Sequence, residues 1–117
     1  MASFFLLPFA REHTEQLPLF TCMAAGFQYY EGPVIIRELT PDDRLMLVRE
    51  PDNIHDTEAV GIYTPDHRKL GYIPRYLNKI PAIHLDNGKK LYALVHHVTP
   101  YLPPWEMLEV IVMLDMG

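Results

Sequence analysis

The sequence predicts a mainly β protein folded as a small, partly closed barrel of about six strands with one short helical insertion. The chain has 117 residues, the length of one ordinary domain. Its eleven prolines and six glycines divide it into short segments, and the apolar runs between them are rich in β-branched and aromatic residues, which favour strands over long helices. Hydrophobic residues make up 49% and charged residues 21% of the chain, as in folded globular proteins. Because the sequence contains no internal repeat or linker, residues 1–117 are predicted to form a single domain.

The first part of the chain is predicted to consist of strands separated by turns. Residues 19–30 are predicted as a strand that bends at Gly26, and residues 33–36 as a short extended segment. Residues 40–43 (TPDD) predict a turn, because proline fixes its own φ and aspartate bonds nearby backbone. Residues 45–48 (LMLV) are predicted as a strand.

The middle of the chain combines a hairpin with the one helical region. Residues 59–63 and 69–73 are predicted as two strands joined by a turn at residues 65–67. Residues 74–86 are predicted to be helical, because apolar residues recur three and four positions apart there. Pro81 should divide this region into two short helices, since proline lacks an amide donor and disfavours helix before it.

The last part of the chain returns to strands. Asn87-Gly88 is predicted to end the helical region in a left-handed conformation. Residues 91–98 and 106–114 are predicted as strands joined by a proline-rich loop. His96 and His97 are neighbours on the first of these strands and should point to opposite faces, so we do not expect them to bind one metal ion together.

The net charge of −5 is unevenly distributed along the chain. Residues 67–97 contain six Lys and Arg residues and one acidic residue, which gives a charge of +5. The rest of the chain contains four Lys and Arg residues and fourteen acidic residues, which gives −10. The acidic total argues against a uniformly basic surface that binds nucleic acid without selectivity. The basic segment is either an ordinary solvated surface or a phosphate-binding face, and both interpretations stay open.

Aromatic residues are interleaved with these charges. An aromatic ring beside a cation is a common way to hold an unpaired base, with stacking worth about 1–3 kcal/mol per base, although each tyrosine taken alone is more often structural. Tyr29 and Tyr30 are more informative because they are consecutive. On a strand their rings would face opposite sides, whereas a bend at Gly26 or Gly32 would bring both to one rim. The residues concerned are Phe27, Tyr29, Tyr30, Tyr72, Tyr76, Tyr92 and Tyr101.

Residues 49–60 (REPDNIHDTEAV) form a dense polar segment between two predicted strands. Its simplest interpretation is an exposed loop with Asx-type turns. A metal site of His55, Asp56 and Glu58 is disfavoured, because these side chains do not converge on an extended loop and no second cluster supplies further ligands. A catalytic pair of His55 and Asp56 is disfavoured too, because no serine or cysteine stands in the context of a nucleophile. We therefore expect no enzymatic activity, no metal and no cofactor.

The chain has a single cysteine, Cys22, within an apolar run. This position predicts a buried, reduced thiol, which fits the cytoplasm better than an oxidising compartment. No apolar run approaches the roughly 20 residues needed to cross a bilayer, so no membrane partner is expected.

Three sequence blocks follow one another along the chain: GFQYYEG at residues 26–32, LxLxREPDNxHDxxAV at residues 45–60 and LGYIPR at residues 70–75. Taken together and in this order, they resemble the HIRAN domain family. The resemblance covers residues 20–98, and the chain is similar to the stand-alone bacterial members because nothing in it resembles an ATPase motor. The resemblance implies an OB-like or SH3-like, partly closed β-barrel that recognises the 3′ end of single-stranded DNA.

The resemblance also implies roles for the residues that match the family's motifs. Tyr29 and Tyr30 match the tyrosine pair in the pocket that stacks the terminal bases. Asp56 matches the aspartate that accepts a hydrogen bond from the terminal 3′-hydroxyl. His55 stands at the neighbouring aromatic position, and Asn53 begins this loop.

Further DNA contacts are expected around the second and third blocks. Tyr72 lies in the third block, and Arg75 and Lys79 are candidates for phosphate contacts by their character, followed by the pair Lys89-Lys90. Gln28 is a departure, because DNA-binding members can carry arginine there. Glutamine keeps the hydrogen bonding but loses the positive charge.

These residues lead to the hypothesis of a non-enzymatic, cytoplasmic module that binds the 3′-hydroxyl end of single-stranded DNA. A carboxylate accepts a hydroxyl hydrogen bond but repels a terminal phosphate, so one aspartate can distinguish the two kinds of end. One alternative is a protein-interaction or adaptor domain with little DNA affinity. Gln28 and the negative net charge favour this alternative. Another is a small hydrolase that uses His55 and Asp56. Proteins of DNA repair or processing are a further class of partner.

Overall fold

The fold is a single antiparallel sheet of six strands, seen in a computed structural model that describes residues 15–117. The strands are β1 (Gln16–Met23), β2 (Arg44–Arg49), β3 (Val60–Tyr63), β4 (Lys69–Tyr72), β5 (Lys90–Val98) and β6 (Leu108–Asp115). Their order across the sheet is β1-β6-β5-β2-β3-β4. This confirms the predicted mainly β class, including the hairpin formed by β3 and β4. The predicted single domain also included residues 1–14, which lie outside the described residues.

The sheet curls until the chain that leaves β1 meets β4, which partly closes the barrel as predicted. The backbone N–H of Ala25 donates to the carbonyl oxygen of Tyr72 at 2.8 Å, and the N–H of Tyr72 donates back at 2.9 Å. We call this pair of hydrogen bonds the seam. Gly71 stands beside the seam with φ of 148°, and a Cβ atom there would lie only 2.5 Å from the carbonyl oxygen of Ala25. Glycine is therefore required for the two segments to approach this closely.

The prediction of a strand over residues 19–30 is wrong beyond Met23, where β1 ends. Gly26 adopts the left-handed conformation and starts a 3-10 turn at Phe27–Tyr29. The cause is the burial of Phe27, which is completely inaccessible and packs its ring over Gly32, where a Cβ atom would lie 2.2 Å from it. The bend at Gly26 is confirmed, and it turns this segment over one end of the barrel.

The extended segment predicted at residues 33–36 is also wrong. These residues belong to a short helix, α1 (Gly32–Ile35), followed by a 3-10 turn at Ile36–Glu38. Pro33 lies in the first turn of α1, where its missing amide hydrogen costs nothing. Ile35 and Ile36 are both buried, so hydrophobic packing rather than local extension decides this conformation.

The predicted helical region is confirmed, but its interruption lies elsewhere. A 3-10 turn at Arg75–Leu77 is followed by α2 (Lys79–Asp86), so the break occurs at Asn78 and not at Pro81. Pro81 lies in the first turn of α2, where a backbone amide has no intrahelical partner. The helix ends before Gly88, which has the predicted left-handed φ of 79°.

The barrel interior is filled by alternate residues of the strands. The buried residues include Leu45 and Leu47 of β2, Val60 and Ile62 of β3, Ala93 and Val95 of β5, and Val110 and Val112 of β6. Cys22 is buried as predicted, and burial together with the charge of Glu109 raises the pKa of its thiol to about 12. No helix among residues 15–117 has the length and apolar character needed to cross a membrane.

The expectation that His96 and His97 face opposite sides of β5 is wrong. The pairing of β5 with β6 shifts between Val95 and His97, which marks a β-bulge. A bulge places an extra residue in one strand and breaks the alternation of side chains. The two imidazole rings consequently lie side by side, with 4.1 Å between their centroids.

Candidate nucleic-acid site

An open pocket of about 260 Å³ lies beside the seam, and we call it the seam pocket. Three parts of the chain meet there, namely the segment that follows β1, the loop between β2 and β3, and the segment that follows β4. A concave site with a few polar groups on an otherwise apolar wall is typical of ligand binding. The lining residues are Ala25, Tyr30, Asn53, His55, Asp56, Ala59, Tyr72, Ile73, Arg75 and Asn78.

Asn53 fixes the shape of the loop between β2 and β3. Its Oδ1 accepts hydrogen bonds from the backbone N–H groups of His55 at 2.8 Å and Asp56 at 3.2 Å. This is the Asx-type turn that the sequence predicted. Its Nδ2 donates to Glu50 Oε1 at 3.2 Å. Because the loop is held by its own side chains, Asp56 enters the pocket in a defined orientation.

Arg49 attaches the far end of this loop to α2. Its Nη1 donates to the carbonyl oxygen of Thr57 at 2.7 Å, and its Nε lies 3.0 Å from Asp86 Oδ1. A guanidinium group can bond a carboxylate and a carbonyl at once, because it carries several donors in a fixed plane. Arg49 therefore links the loop to α2, which follows Asn78 directly.

Asp56 presents an ionised carboxylate at the pocket wall. Its Oδ1 accepts from the backbone N–H of Glu58 at 2.9 Å, and its Oδ2 accepts from Asn78 Nδ2 at 2.7 Å. Arg75 Nε lies 3.5 Å from the same Oδ2. The Glu58 hydrogen bond, with those of Asn78 and Arg75, holds the pKa of Asp56 below its usual value despite partial burial. The group is therefore a hydrogen-bond acceptor at neutral pH.

Arg75 spans the pocket entrance from the other side. Its Nη2 donates to the carbonyl oxygen of His55, and its Nε faces Asp56. The Arg75 side chain is nevertheless 70% exposed. It therefore combines a fixed position with a positive charge that an incoming anion can reach.

Glu50 joins the tyrosine wall of the pocket to the loop. It accepts hydrogen bonds from the hydroxyls of Tyr72 at 2.8 Å and Tyr63 at 3.1 Å, and pairs with Lys69 Nζ at 3.2 Å. Burial raises the pKa of Glu50, but the hydrogen bonds from Tyr72, Asn53 and Lys69 outweigh this effect and lower it. Burial and the bond to Glu50 raise the pKa of Tyr72. The Tyr72 ring is thus locked in place with its hydroxyl protonated.

Tyr29 and Tyr30 lie on and directly after a 3-10 turn, so the alternation expected on a strand does not apply to them. A methyl group placed on Gly26 would lie 3.5 Å from the Tyr30 ring and 3.8 Å from the Tyr29 ring, so both rings border this glycine. The Tyr30 ring packs edge-on against Tyr72, with 5.9 Å between centroids. The Tyr29 ring is 76% exposed. The bend at Gly26 therefore brings both rings next to one glycine, and the Tyr29 ring is open to solvent.

Most of the predicted contact residues converge on one site. Tyr30, Asn53, His55, Asp56, Tyr72 and Arg75 all line the seam pocket. Gln28, Tyr29 and Lys79 are not among its lining residues. Tyr29 adjoins the pocket through Tyr30, Gln28 is half-buried, and Lys79 is exposed at the first residue of α2. Lys89 and Lys90 are exposed at the start of β5.

Three residues of the site were not assigned a role from the sequence. Asn78 is only 1% exposed, and its Nδ2 donates a hydrogen bond to Asp56 Oδ2. In the sequence it lies in a segment that was predicted to be helical, with no further role. Glu50 lies within the quoted sequence block, and Lys69 lies in the hairpin, with its Nζ 4.1 Å from the Tyr72 ring centroid. The sequence gives no signal for Asn78, because its burial and its need for a specific partner appear only in the folded chain.

The fold and the pocket together define a class, the small OB-like β-barrel with an open pocket beside its closing seam. The sequence profile of the HIRAN domain matches residues 19–107, and the chain belongs to this family. The family predicted from the three sequence blocks is thereby confirmed.

Solved structures share this fold. A crystal structure of a protein from Lactobacillus plantarum is 29% identical, with a TM-score of 0.76, and the match covers 85% of this chain and 94% of that one. The crystal structure of the HIRAN domain of human HLTF is 16% identical, with a TM-score of 0.60 and coverage of 86% and 77%. An NMR structure of the HLTF HIRAN domain in its DNA-bound conformation is also 16% identical, with a TM-score of 0.57 and coverage of 92% and 85%. No curated protein matches the sequence.

Proposed function

We propose that this protein is a non-enzymatic DNA-binding module that holds the 3′-hydroxyl end of single-stranded DNA in the seam pocket. The observation that carries the proposal is the ionised carboxylate of Asp56 on the pocket wall, within a pocket that also presents Tyr30 and Arg75. Each carboxylate oxygen of Asp56 has more than one acceptor position. The bonds from Glu58 and Asn78 therefore leave capacity for a terminal hydroxyl.

The shape of the pocket suits the end of a strand. Its volume of about 260 Å³ is slightly below the range for small-ligand sites, roughly 300–1,000 Å³, so it suits one terminal nucleotide better than a length of strand. Tyr30 lines the pocket and Tyr29 borders the same glycine, Gly26, so the two residues offer ring faces for the bases. Stacking does not depend on base identity, so we expect little sequence preference.

The charges around the pocket support a modest affinity. Arg75 is exposed at the entrance and is placed to meet a backbone phosphate. The net charge of −5 gives no general attraction for phosphate. Binding should therefore depend on local contacts at the end of the strand, and less on counterion release along a duplex. That the related HLTF HIRAN domain was solved in a DNA-bound conformation supports DNA as the class of ligand.

Binding to the end of a strand can be distinguished from binding along a strand by comparing the linear and circular forms of one oligonucleotide. In fluorescence anisotropy, a linear single strand with a free 3′-hydroxyl should bind at least tenfold more tightly than a circular strand of the same sequence, which has no ends. A blunt duplex of that sequence should also bind weakly, because its terminal bases are paired. Equal affinity for the linear and circular strands would contradict the proposal.

A protein-interaction domain is the second candidate function. Apolar side chains are exposed on the 3-10 turn before α2 and on α2 itself, namely Tyr76, Ile80 and Ile83. Exposed apolar surface is a feature of protein-binding sites. This candidate predicts that none of the three DNA forms binds. The same anisotropy experiment therefore distinguishes it from end recognition.

A further inference from the structure

A cluster of metal-binding side chains lies on the hairpin of β5 and β6, outside the seam pocket. The β-bulge in β5 turns His96 and His97 towards Glu109, their neighbour on β6. His96 Nδ1 lies 3.0 Å from Glu109 Oε1, and His97 Nε2 lies 3.8 Å from the same oxygen. All three side chains reach solvent. Without the bulge, two consecutive residues could not share this carboxylate.

We propose that His96, His97 and Glu109 form a binding site for a divalent transition-metal ion of the Zn²⁺ type. Imidazole nitrogens combined with one carboxylate oxygen suit this class of ion, whereas Mg²⁺ and Ca²⁺ prefer sites made only of oxygen. Three protein ligands leave a fourth position open, which solvent or a small anion can occupy. Among residues 15–117, this is the one cluster in which three such side chains bring their ligand atoms together.

The spacing of the ligand atoms fits such an ion. In a tetrahedral site with metal–ligand distances of about 2.1 Å, the ligand atoms lie about 3.4 Å apart. The distances of 3.0 and 3.8 Å from Glu109 bracket this value, and all three ligand atoms lie within 4.8 Å of one another. Small rotations of the exposed imidazole rings are enough to close the geometry.

The position of the cluster separates it from the DNA proposal. None of its three residues lines the seam pocket. Cys22 on the neighbouring strand β1 is buried, and it is not among the residues whose ligand atoms the cluster brings together. The metal site and the end-binding site can therefore be tested independently.

Calorimetric titration of the full-length protein with Zn²⁺, after removal of any affinity tag, tests the proposal. The expected result is binding of one ion per chain, which His96→Ala, His97→Ala and Glu109→Gln each weaken at least tenfold. Titration with Co²⁺ should produce a visible absorption band that the same variants lose. His84→Ala is the matched control, because His84 lies on α2 outside the cluster, and it should leave the affinity unchanged.

Thermal unfolding provides a second readout that does not depend on spectroscopy of the metal. Zn²⁺ should raise the melting temperature of the unmodified protein and leave that of Glu109→Gln unchanged, because only a ligand of the folded state stabilises it. If Zn²⁺ fails to bind at millimolar concentration, the proposal is wrong. It is equally wrong if a variant with all three substitutions, folded by circular dichroism, binds Zn²⁺ within tenfold of the original affinity.

Discussion

Gly71→Ala is expected to lower the free energy of unfolding by about 3 kcal/mol or more. Two costs combine at this position. The φ of 148° is unfavourable for any residue with a Cβ atom, and the new methyl group would lie 2.5 Å from the carbonyl oxygen of Ala25. That oxygen is a backbone atom and accepts the seam hydrogen bond from Tyr72. It cannot move away without opening the barrel.

Gly88→Ala separates backbone strain from the steric conflict. Gly88 also has a positive φ, of 79°, but no atom lies within 4 Å of the position that its Cβ would take. This substitution should cost only about 1 kcal/mol. Urea unfolding monitored by circular dichroism measures both variants. If Gly71→Ala and Gly88→Ala destabilise the protein equally, the steric conflict at the seam adds nothing to the cost of backbone strain, which would contradict this prediction.

Tyr29→Ala is expected to weaken binding of a single-stranded 3′ end by about 1–3 kcal/mol, or roughly 5- to 150-fold, without changing stability. The ring is 76% exposed, so it has little packing to lose in the free protein. Its free face can be covered by a base, whereas Tyr30 is already packed against Tyr72. A loss of affinity in this variant therefore reports stacking rather than unfolding.

Tyr101→Ala is the matched control for this variant. Tyr101 is also exposed, but it lies in the loop between β5 and β6 and does not line the seam pocket. Anisotropy titrations of both variants with the same labelled strand should show a loss only for Tyr29→Ala. Unchanged binding in Tyr29→Ala would remove this residue from the proposed site.

The parts of the fold that sequence predicted correctly are those decided by local rules. The strand at residues 45–48 and the β3–β4 hairpin are short apolar runs with turn residues at their ends. The residues after Met23 follow no local rule, because the burial of Phe27 over Gly32 determines their path. Such a contact joins residues whose proximity only the folded chain reveals.

The residues of the site also fall into those that the sequence predicted and those whose contacts only the folded chain reveals. Asn53 and Asp56 were predicted because they lie in a sequence block that resembles a known family, and Arg75 was predicted by its character. The fold brings the three residues together. Asn78 was missed because its role depends on its contact with Asp56, a residue 22 positions earlier. The side-by-side position of the His96 and His97 rings was not predicted, because the β-bulge breaks the alternation of side chains along β5. No residue of β5 indicates this bulge in the sequence.

The proposed recognition of a 3′-hydroxyl end depends on the negative charge of Asp56. Because the Glu58, Asn78 and Arg75 contacts lower its pKa, the carboxylate is ionised at pH 7 and remains ionised further into acid than an ordinary aspartate. An ionised carboxylate accepts a hydrogen bond from a hydroxyl and repels a phosphate. Asp52→Ala is a suitable control for its removal, because Asp52 is exposed in the same loop and does not line the pocket.

The most direct test compares the dissociation constants of one single strand that ends in either a 3′-hydroxyl or a 3′-phosphate, measured at pH 7. The unmodified protein and Asp52→Ala should prefer the hydroxyl end by at least tenfold, and Asp56→Ala should bind both ends with nearly equal affinity. Equal binding of the two ends by the unmodified protein would contradict end recognition by Asp56. So would a preference for the hydroxyl end that survives in Asp56→Ala.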